Sequence, residues 1–244
     1  SFRLKFVGAR TVLVPDVDFS GLGDYDRDGG FTTGAVNVNQ ESYQLTQDRA
    51  RSFSIDREDM DETGIAGLAG QIMGEFVRTK VAPEIDAYTL SKLANLAATK
   101  EHTVSLESGE TVTENCLKLI NSAIEKVSEE VGYDEEIVVF VNPTVYSALS
   151  NTSELTRSLE VGDFTRGELT TKVQKINNAY IIPVSGARMK TAYTFNDGKT
   201  DGETDGGFVP ASDAEDIGIL AMPKKAGMLI KKTDKVRIFT PDRN

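Results

Sequence analysis

DMDETGIAGLAGQIMGEFVRTKVAPEIDAYTLSKLANLAA, running from Asp59 to Ala98, is the stretch on which the fold turns. Ile65, Leu68, Ile72 and Phe76 recur at i, i+3, i+7 and i+11, which is one face of an α-helix. Asp59, Asp61 and Glu62 stand at its start, where the positive end of the helix dipole favours carboxylates. Pro83 interrupts the pattern, and Ile85, Tyr88, Leu93 and Leu96 resume it. The spacing therefore predicts a long helix with a kink or short break near Val81–Pro83. An element of about 35 residues would run roughly 50 Å at 1.5 Å per residue. Such a helix is long for a 244-residue chain, so its outer side must find a partner or stay solvated.

Working outward, RLKFVGARTVL (Arg3 to Leu13) alternates and is β-branched, and Ser42 to Ile55 alternates again. Between them Gly21 to Gly34 carries five glycines, so two strands joined by a long glycine-rich tongue are expected. Structureless loops of that length are commonly functional or reach a partner. Downstream, Thr111 and Glu114 form a capping-box signature ahead of a helix with apolar Leu117, Ile120, Ile124, Val127 and Val131, ended by Gly132. EEIVVFV (Glu135 to Val141) reads as a buried strand stopped by Asn142-Pro143, with a short helix, TVYSAL, behind it. Short strands are expected at Ala179–Val184 and Ile217–Met222, and a final antiparallel pair at Gly227–Lys232 and Lys235–Thr240. The order is mixed α+β without βαβ regularity.

The composition, 39% hydrophobic and 27% charged, is that of a globular protein of one large or two small domains. No apolar run approaches a membrane span and the first residues lack a signal-peptide core, so a soluble intracellular product is expected. The start at Ser1 suggests an N-terminus removed by processing or design. A net charge of −11 is the wrong sign for a protein whose whole surface grips nucleic acid. Cys116 and His102 are each the only residue of their type, which excludes an internal disulfide and any zinc site needing two of either.

Candidate sites are few. Asp24, Asp26 and Asp28 with Gly29 match the first half of a calcium loop, but Ala35 stands where the bidentate Glu belongs, so the segment is read as a solvated loop tip, with calcium as the alternative. DGKTDGETDGG (Asp197 to Gly207) is read as a flexible surface insertion, with cation binding as the alternative. Glu84 and Asp86, two apart on a helix, do not face each other and suit the helix start beside Pro83. Glu107, Glu110 and Glu114 are read in the same way. Cys116 is expected as a buried thiol and His102 as a solvated residue. Lys224, Lys225, Lys231, Lys232, Lys235 and Arg237 form a basic end, suited to phosphates or to the acidic surface of another copy. No GxSxG, Walker A or GxGxxG motif precedes a helix, and nothing assembles a nucleophile, a base and an oxyanion site. The expectation is therefore not an enzyme, with no cofactor and no metal.

Taken together, certain segments carry a likeness. RARSFSIDREDMDETG (Arg49 to Gly64), the helix face Ile65–Phe76 and VAPEIDAYTLSKLA (Val81 to Ala94) resemble the major capsid proteins of tailed bacteriophages and prophages. VVFVNPTVYSAL (Val138 to Leu149) and the closing AMPKKAGMLIKKTDKVRIFTP are similar to that family's strand, short helix and final strands. The likeness extends from about Arg3 to Pro241.

The resemblance implies the Hong Kong phage-type capsid fold, which encapsulins share: an α+β chain with a long spine helix. It implies an extended loop at 11–43, a peripheral domain at 44–96 and 223–244, and an axial domain at 97–222. The function implied is that of a structural subunit, self-assembling through pentamers and hexamers into an icosahedral shell around double-stranded DNA. The virion capsid would be its destination and the bacterial cytoplasm its place before assembly. Portal, scaffold or protease proteins would be partners, the packaged DNA would make no sequence-specific contacts, and no membrane would be involved. An encapsulin-like shell holding cargo enzyme is the alternative. Residues implied at subunit interfaces are Asp24, Tyr25, Arg27 and Phe31 on the loop tip, with Arg57, Arg78, Glu84 and Asp86 as charged contacts between or within subunits. Some relatives crosslink through a lysine on the extended loop, but this chain has none between Lys5 and Lys80, so no such crosslink is expected.

Overall fold

The computed structural model describes residues 4–53, 68–104, 111–151, 160–166, 169–227 and 229–232. The chain divides into two compact units, Ser1–Ala66 with Lys231–Lys235, and Gly67–Ile230 with Val236–Asn244.

In the first unit, strands β1 (Lys5–Val7), β2 (Thr11–Phe19) and β3 (Val36–Gln44) form an antiparallel sheet in the order β1-β2-β3. Gly8, at φ 66°, opens the turn from β1 to β2, a conformation that costs glycine little. β2 and β3 stay paired from Thr11↔Gln44 to Phe19↔Val36. Pro15 has no N–H to give, and it lies past Leu13, the last residue of β2 that β1 pairs.

In the second unit, helix α1 (Leu68–Phe76), a π-helical turn (Val77–Val81) and helix α2 (Ala82–Thr99) run without interruption. Helix α3 (Cys116–Val131), strand β4 (Ile137–Val141) and helix α4 (Pro143–Asn151) follow. Next come β5 (Glu160–Arg166), β6 (Leu169–Ile176), β7 (Ala179–Pro183), β8 (Tyr193–Phe195), β9 (Phe208–Pro210) and β10 (Ile219–Pro223). Five strands make a mixed sheet in the order β10-β4-β7-β6-β5, in which only β4 and β7 are parallel. β8 and β9 pair separately.

β4 lies inside this sheet, and its continuous apolar run follows from burial on both faces. Ile137, Val139 and Val141 pack with Ile120 and Ile124 of α3, Val145 and Leu149 of α4, and Ile181 of β7. Complete burial of such a side chain contributes about 1.5–3 kcal/mol. From its neighbouring position, Phe140 packs with a second cluster of Leu90, Met189 and Ile217. The α+β class is thus realised as a mixed sheet with helices packed on it.

Several expectations are met closely. Gly132 caps α3 at φ 90°, its N–H bonding the Ser128 carbonyl at 2.8 Å. Asn142 Oδ1 accepts the Val145 N–H at 2.8 Å, capping α4 just ahead of Pro143. Asn142→Ala is expected to cost about 1 kcal/mol in urea unfolding, against no change for a substitution at exposed Glu129. Thr111 Oγ1 accepts the Glu114 N–H at 3.3 Å, yet α3 begins only at Cys116, so this bond closes a turn ahead of the helix.

Others are corrected. The second strand is Val36–Gln44, and among described residues 45–53 carry no strand; Ile55 lies outside the described residues. No break occurs at Val81–Pro83. The Ala82 N–H bonds the Val77 carbonyl five residues back, and the widened turn gives the Pro83 ring room that an α-turn denies it. The buried side of α2 is Ala87, Leu90 and Ser91, while Leu96 is exposed. The described residues of Gly227–Lys232 carry no strand, and Lys235–Thr240 lies outside the described residues, as do the proposed helix start at Asp59 and the face residue Ile65. Leu90 packs with Met189 and Ile217, and Ser91 Oγ donates to the Thr191 carbonyl at 2.7 Å, joining α2 to the strand-rich part of its unit.

Candidate functional site

The β2–β3 hairpin has two unlike faces, because alternate residues of a strand point to opposite sides. One face carries Val17, Phe19, Val36 and Val38, in the register Phe19↔Val36 and Val17↔Val38. The other carries Asp16, Asp18, Asn37, Asn39 and Glu41. Phe19 is 69% exposed, Val36 61% and Val38 66%, so the apolar face meets solvent. All of β3 is exposed. A strand that is polar on one side normally buries the other against a core, and no described segment covers this one.

Beyond Phe19 and Val36 the Ser20 N–H bonds the Ala35 carbonyl at 3.0 Å, and the Ala35 N–H bonds Ser20 Oγ at 2.9 Å. These bonds close the neck of the tip loop. At its far end the Asp26 and Gly30 backbones bond each other, with Gly30 at φ 78°. Asp26 Oδ1 accepts the Asp28 N–H at 3.1 Å, an Asx turn. A Cβ at Gly23 would lie 2.2 Å from Thr32 Oγ1, so that close approach requires glycine. Tyr25 and Phe31 pack against each other with ring centroids 5.2 Å apart. Phe31 is 90% exposed and Leu22 fully exposed. The hollow between Ser20–Tyr25 and Phe31–Gly34 is open and about 370 Å³. Among the described residues no three His, Cys, Asp or Glu side chains are grouped to hold a metal ion.

The structure thus brings Asp24, Tyr25, Arg27 and Phe31 onto one exposed loop, and treats the charged candidates differently. Arg78 pairs with Glu75 on its own helix at 2.6 Å, which raises its pKa. Asp86 pairs with Arg188 at 3.0 Å, tying α2 to the 3-10 turn Gly186–Arg188 within the subunit. Glu84 stands half-buried in the middle of the continuous helical run Leu68–Thr99, so the helix start expected beside Pro83 is not there, and Arg57 lies outside the described residues. Asn95 Nδ2 joins Ser91 on the Thr191 carbonyl, at 2.9 Å.

The basic end is also used within the chain. Lys224 pairs with Glu136 at 2.6 Å and Lys225 with Glu135 at 3.0 Å, where β10 leaves the sheet beside the start of β4. The Lys224 ammonium, followed by the Tyr180 hydroxyl at 2.8 Å, holds the Glu136 pKa below its ordinary value. These two lysines thus each meet a carboxylate of their own chain.

The acidic segment 197–207 is an ordered connection between β8 and β9 rather than a flexible insertion. Asp197 accepts the N–H groups of Lys199 and Thr200 at 2.7 and 2.8 Å and the Thr200 hydroxyl at 2.8 Å, while its own N–H bonds Glu203 at 3.0 Å. Donation from the Thr200 and Lys199 backbones lowers the Asp197 pKa to about 2. Because the folded pKa is depressed, the turn is fully fixed above the ordinary 3.8 and loosens as pH falls through about 2. An NMR titration of the Thr200 amide is expected to show its midpoint near pH 2 and to lose it in Asp197→Ala; a midpoint near 4 would contradict the turn. Tyr193 and Phe195 of β8 meet Phe208 of β9 at 5.3 and 6.3 Å, and Tyr88 of α2 meets Phe195 at 5.9 Å.

Among the described residues no helix is long and apolar enough to cross a membrane. Comparison of the chain with protein-family models, with characterised proteins and with solved structures finds no match.

Proposed function

We propose that this chain is a structural subunit that self-associates through its projecting hairpin, building a closed icosahedral shell of the tailed-phage capsid kind. The observation that carries the reading is the apolar hairpin face on which Phe19, Val36 and Val38 are solvent-exposed in the single chain and Val17 is half-buried. A two-stranded ribbon with apolar residues outward is marginal alone and gains stability when a second surface covers it. The uninterrupted helical run from Leu68 to Thr99 and the sequence resemblance across Arg49–Ala94 support the same reading. Many copies of one modest heterologous contact, repeated by symmetry, close a shell without any single strong interface.

The experiment is size exclusion with light scattering on the purified protein, with negative-stain electron microscopy of any high-mass fraction. Uniform shells, or rings of five or six, are the expected result. Replacing Gly21–Gly34 by Asn-Gly, a two-residue hairpin turn that keeps the register, is expected to leave a folded monomer and remove the particles. A wild-type protein monomeric at every concentration would overturn the reading, and intact particles from the shortened loop would overturn the role given to the tip.

A further inference from the structure

Four aspartates of this chain are followed by glycine: Asp28, Asp197, Asp201 and Asp205. Such a step is where a backbone can rearrange, because glycine has no side chain to keep the aspartyl carboxyl away from its amide nitrogen. The fold gives the four steps unlike surroundings. At Asp197 the carboxylate accepts the Lys199 and Thr200 N–H groups and the Thr200 hydroxyl, and its pKa falls to about 2. At Asp205 the nitrogen is engaged instead, since half-buried Gly206 donates its N–H to the Glu203 carbonyl at 2.8 Å. At Asp28 a second carboxylate stands close. Asp26 accepts the Asp28 N–H at 3.1 Å, and its Oδ2 lies 3.1 Å from where a Cβ of Gly29 would be, so like charge opposes the approach. Asp201–Gly202 differs from all three. Both residues are exposed, and Gly202, at φ 82°, has nothing but its chain neighbours within 4 Å of where a Cβ would be. Among the described residues nothing bonds the Asp201 carboxylate or the Gly202 N–H.

We infer that Asp201–Gly202 is a site of spontaneous backbone isomerisation, the one Asp–Gly step of the four that folding leaves reactive. The Gly202 nitrogen attacks Cγ of the protonated Asp201 carboxyl and forms a new C–N bond. The carboxyl hydroxyl leaves with the amide proton as water, and a five-membered succinimide remains. Water then adds at either carbonyl of the ring. Opening at Cγ restores aspartate, whereas opening at the main-chain carbonyl breaks the original peptide bond and leaves the chain running through the β-carbon. One water is lost and one regained, so the mass is unchanged and no oxidant, reductant or cofactor takes part. The extra backbone methylene falls inside the turn in which the Glu203 N–H bonds the Thr200 carbonyl at 2.9 Å. Glu203 also accepts the Asp197 N–H at 3.0 Å, so the change at Asp201 loosens the acidic connection from β8 to β9.

The test ages the purified full chain at about pH 5, where part of any ordinary aspartate population is still protonated. Proteolysis and electron-transfer mass spectrometry then locate isoaspartate, separating the two linkages at equal mass. Isoaspartate at 201 is expected to accumulate at least about tenfold faster than at 28, 197 or 205, the scale on which a misplaced reacting group loses rate. In urea, where the surroundings of each step are gone, the preference is expected to disappear. The aged fraction, separated by ion exchange, is expected to lose the low-pH midpoint of the Thr200 amide, and an Asp201→Glu chain aged in parallel is expected to keep it. Equal rates at the four steps in the folded chain would overturn the inference, as would a folded chain that forms no isoaspartate at 201 while the urea-unfolded chain does. An aged fraction that keeps the Thr200 midpoint would overturn the coupling to the Asp197 turn.

Discussion

Phe19→Thr, Val36→Thr and Val38→Thr, combined in one chain, are expected to abolish particle formation while thermal unfolding shifts by no more than about 2 °C. Threonine keeps the strand preference and nearly the volume of valine, so the hairpin still forms. What disappears is the apolar face, whose three side chains are more than half exposed in the single chain and so contribute little to its stability. In an assembled contact each becomes a covered anchor, and truncating a covered anchor typically costs more than 1 kcal/mol. Three such losses in every repeat would separate subunits even though no copy unfolds. The measurement pairs light scattering with a melting curve. Particles at wild-type yield would show that this face is not covered in the assembly, and a large fall in melting temperature would show that it supports the monomer.

Ile181→Ala is expected to have the opposite signature, costing about 3–4 kcal/mol of folding stability. Ile181 is completely buried, faces Val139 across the parallel β4–β7 pair and Gln174 across the β7–β6 pair, and belongs to the cluster containing Ile120, Ile137 and Leu149. Truncation removes three carbons from a packed centre where strands on both sides limit relaxation. A domain of this size commonly holds about 5–15 kcal/mol in total, so the variant approaches the edge of folding at ambient temperature. Leu96→Ala is the control: Leu96 is 57% exposed, and a change within about 0.5 kcal/mol is expected. Urea unfolding of both variants gives the comparison. Equal losses would mean that the second unit is held together elsewhere than at this sheet.

The sequence was most legible where local chemistry and burial agree. Gly132, Asn142-Pro143 and the run Ile137–Val141 each announce their role within a few residues, and each stands as read. β3 was not legible because Asn37, Asn39 and Gln40 are poor strand formers and its partner is β2, beyond the glycine-rich loop. Near Val81–Pro83 a kink or short break was expected because a proline in an α-helix costs a bond and a clash; the irregularity that forms is a π turn at Val77–Val81, whose spacing relieves both without breaking the helix. The face of α2 was legible in part, since Ile85, Tyr88 and Leu93 are half-buried while Leu96 is exposed. Its buried residues are the small Ala87 and Ser91 beside Leu90, chosen by how closely the 185–191 segment approaches rather than by hydrophobicity.

For the candidate site the division is similar. The exposed tip with Tyr25 and Phe31 follows from the glycines and carboxylates of Gly21–Gly34 alone, since such a composition cannot bury itself. Charge and composition likewise excluded, unaided, a disulfide-held fold and a wholly nucleic-acid-coating surface. Pairing decided the rest. Strand register set Phe19 beside Val36 and Asp16 beside Asn39, turning two ambiguous runs into a ribbon with an apolar and an acidic face. Tertiary contact gave Asp86 a partner in Arg188 and Lys224 a partner in Glu136, pairings between residues far apart in the chain that sequence alone did not disclose. Residue types and their local spacing set what each segment prefers, but which side chains remain for a partner depends on contacts between residues far apart in the chain, and only folding supplies those.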